Sequence, residues 1–260
     1  MDPDFRKLRN FLKDNLRKEF DFSRTDQAQG VPPPDVEKPV LAGQKVITLL
    51  KPKEWKNIEN VDLVSAIKKR RSQRAFVKKP LLLEELSFLL WATQGVVRKG
   101  AGYTMRTVPS AGARHALETY LCVLNCESLQ PGVYRYLPTK HQLVEEFLDE
   151  GLASRIVPAC MGQEFIKTAG VVFAWAAIPY RMEWRYGPVS AKSIAVDAGH
   201  VCQNLYLACE AVSCGTCAIG AYDQEKMDAL LRLDGDDEFV IYLAPAGKVS
   251  KGRYNEYNQA

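Results

Sequence analysis

The feature that most constrains the fold is a long stretch without helix breakers in the last third of the chain. From Ala191 to Cys214 the sequence contains no proline and a single glycine, Gly199. Apolar or small side chains recur there at steps of three and four, which is the spacing of one helix face. These residues are Ile194, Ala198, Val201, Leu205, Ala208 and Val212. A second apolar line beside them predicts a buried helix, which would be roughly 36 Å long. This second line consists of Ala195, Cys202, Tyr206 and Cys209.

The residues at the two ends of this stretch fit helix boundaries. Ser190 can cap the start and Gly215 suits the end. Residues 214–217 then turn into residues 218–221, where Gly220 lets the backbone approach a ligand closely. The helix also carries polar residues that need partners if they are buried. These are Asp197, His200, Gln203 and Asn204.

Composition excludes several classes of protein. The chain has 260 residues, of which 47% are hydrophobic and 25% charged, as in an ordinary soluble globular protein. A net charge of +4 is too small to indicate a nucleic-acid partner. The longest apolar run, residues 171–178, is too short to span a membrane. The N-terminus carries Asp2, Asp4 and Arg6 with no apolar run after them, which argues against a signal peptide. We therefore expect a cytoplasmic location, in which the seven cysteines are free thiols.

The chain divides into an N-terminal arm and a main domain. Residues 1–20 read as an amphipathic helix and residues 25–39 as extended linker material, because Pro32, Pro33 and Pro34 follow one another. We therefore predict an N-terminal helix and extended arm over residues 1–59 and the main domain over residues 60–260.

Within the main domain the local patterns predict mixed helices and strands. Helices are expected at residues 61–69 with Asn60 as the cap, at 80–93, over most of 141–160, and at 224–231. Strands are expected at 119–124, 132–136, 171–178 and 239–246, and a short edge strand at 44–52. Residues 98–107 read as a flexible loop, and residues 109–113 as a tight turn into a short helix.

A basic cluster is the first candidate binding site. Arg70, Arg71, Ser72 and Arg74 lie within five residues and can hold a phosphate by charge-assisted hydrogen bonds. The alternative is a basic helix end that complements the helix dipole. The common nucleotide motifs are missing, since Met105 stands where a dinucleotide fingerprint starting at Gly100 needs glycine, and there is no P-loop.

The cysteines and histidines give weaker indications. Cys214 and Cys217 have redox spacing but follow a helix rather than begin one, so a structural role is favoured over catalysis. No second ligand pair supports zinc. His200 is interpreted as a core or interface residue, and His115, just after the turn at 109–113, as nearer to a site.

Six short motifs in order along the chain carry a resemblance to a known family. They are Arg70-Arg71-Ser72-x-Arg74-x-Phe76, Leu89-Leu-Trp-Ala-Thr-Gln-Gly95, Pro109-Ser-Ala-Gly-Ala113 before Glu118, Pro131-Gly-Val-Tyr-Arg-Tyr136, Asp197-x-Gly199-His200-x-x-Gln203-Asn204-Leu205 and Gly215-Thr-Cys-Ala-Ile-Gly220. Together they resemble the FMN-dependent nitroreductase family, most closely the branch of SagB-type dehydrogenases, which are azoline oxidases. The resemblance covers about residues 60–248.

This resemblance implies an α+β fold, with a mainly antiparallel sheet wrapped by helices, built as an intertwined homodimer with FMN at the interface. Arg70, Arg71 and Ser72 match positions that hold the FMN phosphate and ribityl chain, and Arg74 matches a basic position near the flavin N1/O2 edge. The turn contributed by the other subunit is matched by Pro109, Ser110, Ala111 and Gly112. The stretch along the flavin is matched by Ala218, Ile219 and Gly220. The basic residue at the C-terminal end that contacts the cofactor is Lys248, Lys251 or Arg253.

The implied activity is a two-step hydride transfer from NAD(P)H through flavin N5 to a small acceptor such as a quinone or nitro-compound. Two alternatives stay open: an azoline dehydrogenase, and a non-catalytic FMN-binding protein. Azoline oxidases are thought to use a Lys-Tyr pair as base, and Arg185-Tyr186 stands at the comparable place. Because arginine is a poor base, the reductase is preferred, with Tyr186 as the proton-transfer group and Arg185 beside it.

Overall fold

The computed structural model describes residues 8–250, and they form a seven-stranded antiparallel sheet wrapped by helices. The strands are β1 Val46–Thr48, β2 Val96–Gly100, β3 Tyr103–Arg106, β4 Leu117–Val123, β5 Gly132–Leu137, β6 Gln142–Leu148, β7 Val171–Ala177, β8 Cys214–Thr216 and β9 Phe239–Lys248. Their order in the sheet is β1-β6-β5-β4-β7-β9-β8, and β2 and β3 form a separate hairpin. The α-helices are α1 Leu16–Glu19, α2 Leu63–Lys69, α3 Leu83–Gln94, α4 Leu152–Ala159, α5 Tyr180–Tyr186, α6 Ser190–Glu210 and α7 Gln224–Leu231. The expected α+β fold is confirmed.

Strand β7 lies in the middle of the core, as its continuous apolar sequence predicts. All seven of its residues are buried, and it pairs antiparallel with β4 on one side and β9 on the other. Phe173 and Trp175 face one hydrophobic cluster, whereas Val172 and Ala174 face a second cluster across the sheet. A strand buried on both faces needs apolar residues at every position, which explains why the run does not alternate.

The long helix α6 covers one face of the sheet and ends earlier than predicted. It runs from Ser190 to Glu210, and its start has no side-chain cap, because a 3-10 turn, Gly187–Val189, leads directly into it. The predicted extension to Cys214 is wrong: Ser213 adopts a left-handed φ of 50°, and Cys214 then pairs with Lys248 as the start of β8. The pairing of residues 214–216 with β9 therefore ends the helix.

Three other local predictions are corrected by strand pairing or by a different cap. Residues 98–107 belong to the β2–β3 hairpin rather than a flexible loop. Residues 142–148 form β6 against β5, so only the end of the predicted helix at 141–160 is helical. Asp62 rather than Asn60 caps α2, accepting a hydrogen bond from Ser65 N at 3.0 Å.

The N-terminal arm does not form one amphipathic helix over its described part. Residues 8–20 contain a short 3-10 turn, Arg9–Leu12, and the four-residue helix α1; residues 1–7 of the predicted helix lie outside the described residues. Of the predicted extended linker at residues 25–39, residues 26–30 instead form a hydrogen-bonded turn, closed by Val31 N donating to Asp26 O at 2.9 Å, whereas residues 31–39 contain no helix or strand. The linker is bound to the main domain. Arg106 Nη2 donates to Val36 O at 2.8 Å, and Lys38 N donates to buried Glu118 at 2.9 Å.

All seven cysteines are buried free thiols. Across residues 8–250 no helix has the length and apolar character needed to cross a membrane.

Candidate functional site

The structure brings together two of the sequence-predicted groups, the basic segment 70–74 and the stretch 218–220. Ser72 forms a parallel bridge with Thr216, and Gln73 N donates to Thr216 O at 2.9 Å. A side chain at Gly215 would lie 2.5 Å from the Gln73 Cβ, so glycine is required where the segments touch. Beyond this contact, Ile219 N donates to Leu243 O of β9 at 2.8 Å, which fixes the second segment to the sheet.

A tyrosine that sequence analysis missed as a site residue connects these segments. Tyr206 OH accepts a hydrogen bond from Ala218 N at 2.8 Å and lies 3.0 Å from Ser72 Oγ. When Tyr206 donates its own proton to Ser72, the Ser72 hydroxyl is free to donate to a ligand. The only signal in the sequence is the place of Tyr206 on the second apolar line of the long helix, which reads as packing.

The arginines of the basic segment differ in what they can contact. The Arg70 guanidinium lies over the Tyr206 ring, 5.2 Å from its centroid. Arg71 instead folds back on the end of α2, donating to Lys68 O at 2.9 Å and to Arg70 O at 2.8 Å. Arg74 is exposed, and no carboxylate among residues 8–250 forms an ion pair with it or with Arg70. Arg70 and Arg74 are therefore available for an anionic ligand.

The thiols beside this cluster are buried. Burial raises the pKa of Cys217, although the nearby Arg74 cation opposes the shift. Burial also raises the pKa of Cys214 to about 12. The two cysteines are thus neutral at physiological pH, which favours the structural role over redox catalysis. The described part of the chain contains no His, Cys, Asp or Glu cluster suited to a metal ion.

The third predicted group, the turn at 109–112, lies elsewhere in the same chain. Buried Asp197 of α6 lies beside the turn, where burial raises the pKa of its carboxyl and the Ser110 hydroxyl and the Ala111 N–H oppose that rise. Ser110 Oγ in turn accepts from His115 N at 2.9 Å. Gly112 has a φ of +57°, which favours glycine. The Asp197 carboxylate thus holds the turn against the N-terminal half of the long helix.

Arg185 and Tyr186 pack directly on this turn. A side chain at Gly112 would lie 2.5 Å from the Tyr186 hydroxyl and 3.2 Å from Arg185 Nε. An open groove of about 390 Å³ follows the turn, between α6 and the N-terminal arm, and His200 is exposed in its wall. His200 is thus no core residue in this chain, and the interface interpretation remains.

The two groups of residues are separated along one helix. Asp197 and Tyr206 are nine positions apart on α6, which corresponds to about 14 Å at the usual rise of a helix. A single chain therefore holds the basic cluster of Arg70, Ser72 and Arg74 at one end of the helix and the turn of Pro109 and Ser110 at the other. This arrangement leaves the turn available to a site on another chain.

Of the C-terminal basic positions, Lys248 is the one that the structure describes. Lys248 is buried, and its ammonium forms an ion pair with Glu85 and donates to Val212 O at 2.7 Å. Its charge is compensated inside the protein, so it does not face the basic cluster as a free cation. Arg253 and Lys251 lie outside the described residues.

The backbone at Gly220 is open. A side chain at this position would meet no atom closer than Tyr242, at 4.0 Å. A flat ligand can therefore approach the backbone of the stretch 218–220 without a clash.

This chain is similar to several proteins assigned as nitroreductases. A protein of Methanocaldococcus jannaschii assigned as a nitroreductase is 34% identical over 192 residues, covering 74% of this chain and 93% of the relative. A crystal structure from Ralstonia eutropha JMP134, also assigned as a nitroreductase, has a TM-score of 0.65 at 27% identity and covers 84% of this chain and 94% of its own.

Two more distant structures share the fold. The E. coli microcin synthetase McbBCD complex with truncated pro-MccB17 bound has a TM-score of 0.59 at 19% identity, covering 78% of each chain. An FMN complex from Desulfovibrio desulfuricans, assigned as a nitroreductase, has a TM-score of 0.51 at 15% identity, covering 74% of this chain and 88% of its own. The Nitroreductase family model matches residues 67–248, most of the main domain. The chain therefore belongs to the nitroreductase family.

Proposed function

We propose that this protein is an FMN-dependent oxidoreductase that takes hydride from NAD(P)H and passes it to a small acceptor such as a quinone or a nitro-compound. Family membership supports an oxidoreductase, and the FMN complex of the D. desulfuricans protein with the same fold supports the cofactor. The observation that carries the proposal is the contact of the basic segment 70–74 with the backbone of Thr216, and through the Tyr206 hydroxyl with Ala218 N.

The residues of this cluster fit FMN chemically. Arg70 and the Ser72 hydroxyl offer charge-assisted and neutral hydrogen bonds for the phosphate and ribityl chain. Arg74 offers positive charge to the N1/O2 edge, and the open backbone at Gly220 allows a flat ring to approach. Arg71 and Lys248 are engaged with the protein itself, so we assign the main anionic contacts to Arg70 and Arg74.

When bound, FMN would supply hydride uptake from NAD(P)H and hydride delivery to the acceptor in two half-reactions. The protein's own contribution is position, charge and protons. Tyr186 lies against the rigid turn at Gly112, where its hydroxyl can exchange a proton with the acceptor. The Arg185 guanidinium lies over the Tyr186 ring, 5.5 Å from its centroid, and adds positive charge beside the acceptor.

The active unit in this proposal is a homodimer. Within one chain Asp197, which lies beside the turn, and Tyr206, which contacts the basic cluster, are about 14 Å apart along α6. A second copy that packs against α6 can bring its own turn, with Arg185 and Tyr186, to the cluster of the first. Each site would then use the basic cluster of one chain and the turn of the other.

The second candidate is an azoline dehydrogenase, favoured by the fold shared with the microcin synthetase complex. It is the weaker candidate because Arg185 stands where a lysine would serve as base, and arginine stays protonated. Incubation with a thiazoline peptide in air would show a mass loss of two hydrogens if this candidate is right. A non-catalytic flavin binder would contain FMN but fail to turn over any acceptor.

The test begins with the purified protein, which should be yellow and release FMN on heating. NADH or NADPH should bleach the flavin, and a quinone or nitroarene should restore the colour. Arg74→Ala should weaken FMN binding by about 1.5–3 kcal/mol, the range for a hydrogen bond to a charged group. Lys68→Ala, an exposed cation on the preceding helix, serves as the control. A protein without flavin that also fails to bind FMN on titration contradicts the proposal.

A further inference from the structure

A second groove, of about 450 Å³, lies between the N-terminal arm and the end of α5. Its walls come from both elements, and Tyr186 lies at the α5 side. The described lining residues are Arg17, Phe22, Thr25, Gln27, Ala28, Arg185 and Tyr186. They combine two guanidinium groups with two aromatic rings, two hydroxyls and an amide, and the described walls contain no carboxylate.

The two guanidinium groups have unused hydrogen-bond donors. Arg17 forms an exposed ion pair through Nε with Asp14 at 2.7 Å, and its two Nη atoms have no hydrogen-bond partner within residues 8–250. Arg185 has no ion pair among the described residues, and its guanidinium lies over the Tyr186 ring. Burial and then the Arg185 cation lower the pKa of Arg114, which indicates a positive potential on this side of the turn.

The arm that forms one wall is fixed to the main domain on both sides of the groove. Gln27 N donates to Trp184 O at 2.9 Å, and Trp184 Nε1 donates to Val31 O at 2.9 Å. On the other side Lys192 Nζ donates to Leu12 O at 2.7 Å. The groove is therefore a built feature of the chain rather than a gap beside a loose terminus.

The groove is continuous with the proposed reaction centre, because Arg185 and Tyr186 belong to both. We propose, resting on the proposed function, that Arg17 and Arg185 bind an oxyanion carried by the molecule that reacts beside Tyr186. The oxyanion is a carboxylate on the acceptor or a phosphate on the nucleotide donor. Planar guanidinium groups bind both oxyanions through paired hydrogen bonds. The N-terminal arm thus becomes part of the substrate site through Arg17.

The experiment compares Arg17→Gln with wild type in the flavin-loaded protein, using 4-nitrobenzoate and the uncharged 4-nitrobenzamide as acceptors and NADPH as donor. Loss of the carboxylate contact should raise KM for 4-nitrobenzoate by roughly three- to tenfold, a size set by the partial exposure of Arg17. kcat, and both constants for 4-nitrobenzamide, should stay at wild-type values. If the oxyanion is the donor's phosphate, KM for NADPH rises instead, equally with both acceptors.

Lys18→Gln is the matched control, because Lys18 is an exposed cation next to Arg17 that does not line the groove. Calorimetric binding of 4-nitrobenzoate to the oxidised protein gives a readout independent of turnover. Arg17→Gln kinetics and binding indistinguishable from Lys18→Gln would overturn the inference while leaving the proposed function intact. A wild-type protein that reduces neither of these nitroarenes nor a quinone, with NADPH or NADH, contradicts the proposed function instead.

Discussion

At the scale of single residues, buried titratable groups hold the turn that carries the proposed reaction centre. His115 is 5% exposed, and burial lowers the pKa of its imidazole to about 3, with the Arg106 cation as the second cause. Its imidazole also hydrogen-bonds the Thr104 backbone, which links the turn to the β2–β3 hairpin. The neutral imidazole is thus part of the folded structure.

His115 predicts a pH dependence of stability. A histidine whose folded pKa lies below its unfolded value of about 6.5 stabilises the fold above that value and loses the contribution as pH falls. Between pH 6.5 and 3 the free energy of unfolding should fall by up to about 1.4 kcal/mol per pH unit from this group. In His115→Asn, which tolerates the φ of 47°, that slope should shrink in urea titrations at several pH values. An unchanged slope would assign the acid sensitivity to other groups.

Asp197 offers a second prediction at this scale. Its carboxyl is buried, which raises its pKa, and one oxygen, Oδ2, has no hydrogen-bond partner in the described structure. Asp197→Asn keeps an acceptor for Ser110 and Ala111 and removes the buried charge, so its stability should stay within about 1 kcal/mol of wild type. Asp197→Ala leaves both donors unpaired and should lose about 1–3 kcal/mol.

Chemical denaturation of both Asp197 variants at pH 7 is the measurement. Equal losses for Asn and Ala would mean that the negative charge itself, rather than the contacts with Ser110 and Ala111, holds the turn. The Asn variant should also retain flavin, which separates a positioning role from loss of the fold.

At the scale of helices and strands, some local sequence patterns predict the observed element and others do not. The central strand and the long helix follow from their sequences because β7 is apolar at every position and α6 has a continuous apolar stripe. The strand β6 could not be predicted as such, because its sequence has acidic residues that only pairing with β5 and the arm explains. Arg135, for example, contacts Glu146 at 2.7 Å across that pairing.

The residues of the candidate site also differ in whether the sequence alone indicates them. The segment 70–74 is a candidate from its residue types, because three arginines and a serine can bind an anion, whereas the stretch 218–220 is a candidate through the family resemblance. Tyr206 and Arg17 could not be found from the sequence, because each belongs to a pattern typical of packing or of an exposed helix. Their roles depend on which distant segment folds against them, and that is decided by the tertiary structure.

The contact between the turn at 109–112 and α5 gives a prediction for this scale. Gly112→Ala should destabilise by about 2 kcal/mol, partly from the left-handed φ and partly from the clash with the Tyr186 hydroxyl. Tyr186→Phe removes that oxygen, so in this background the cost should fall by about 1 kcal/mol. Gly162→Ala is the control, since Gly162 has a φ of +78° but open space around it. Its cost should be the same in both backgrounds, and additive Gly112 and Tyr186 effects would contradict the close contact.

At the scale of the whole molecule, two exposed surfaces match the proposed homodimer. On α2, Leu63, Val64 and Ile67 are 65%, 72% and 57% exposed. On α6, Val196 is 49% exposed, and a side chain at the neighbouring Gly199 would meet no atom within 4 Å. Glycine in an exposed helix interior costs up to about 1 kcal/mol of stability relative to alanine. Close packing of a second chain's backbone against α6 would explain the glycine at this position.

Gly199 therefore distinguishes a lone chain from a dimer. If α6 packs on a second copy, wild type should sediment at twice the 29.2 kDa of one chain, and Gly199→Glu should shift the equilibrium towards single chains. Ala229→Glu, on the exposed side of α7, is the matched control and should leave the mass unchanged. Gly199→Ala keeps the prediction testable if the glutamate variant fails to fold. In a lone chain this variant should gain about 0.5–1 kcal/mol from helix propensity, whereas in the dimer its methyl group should obstruct the interface and lower stability at low protein concentration.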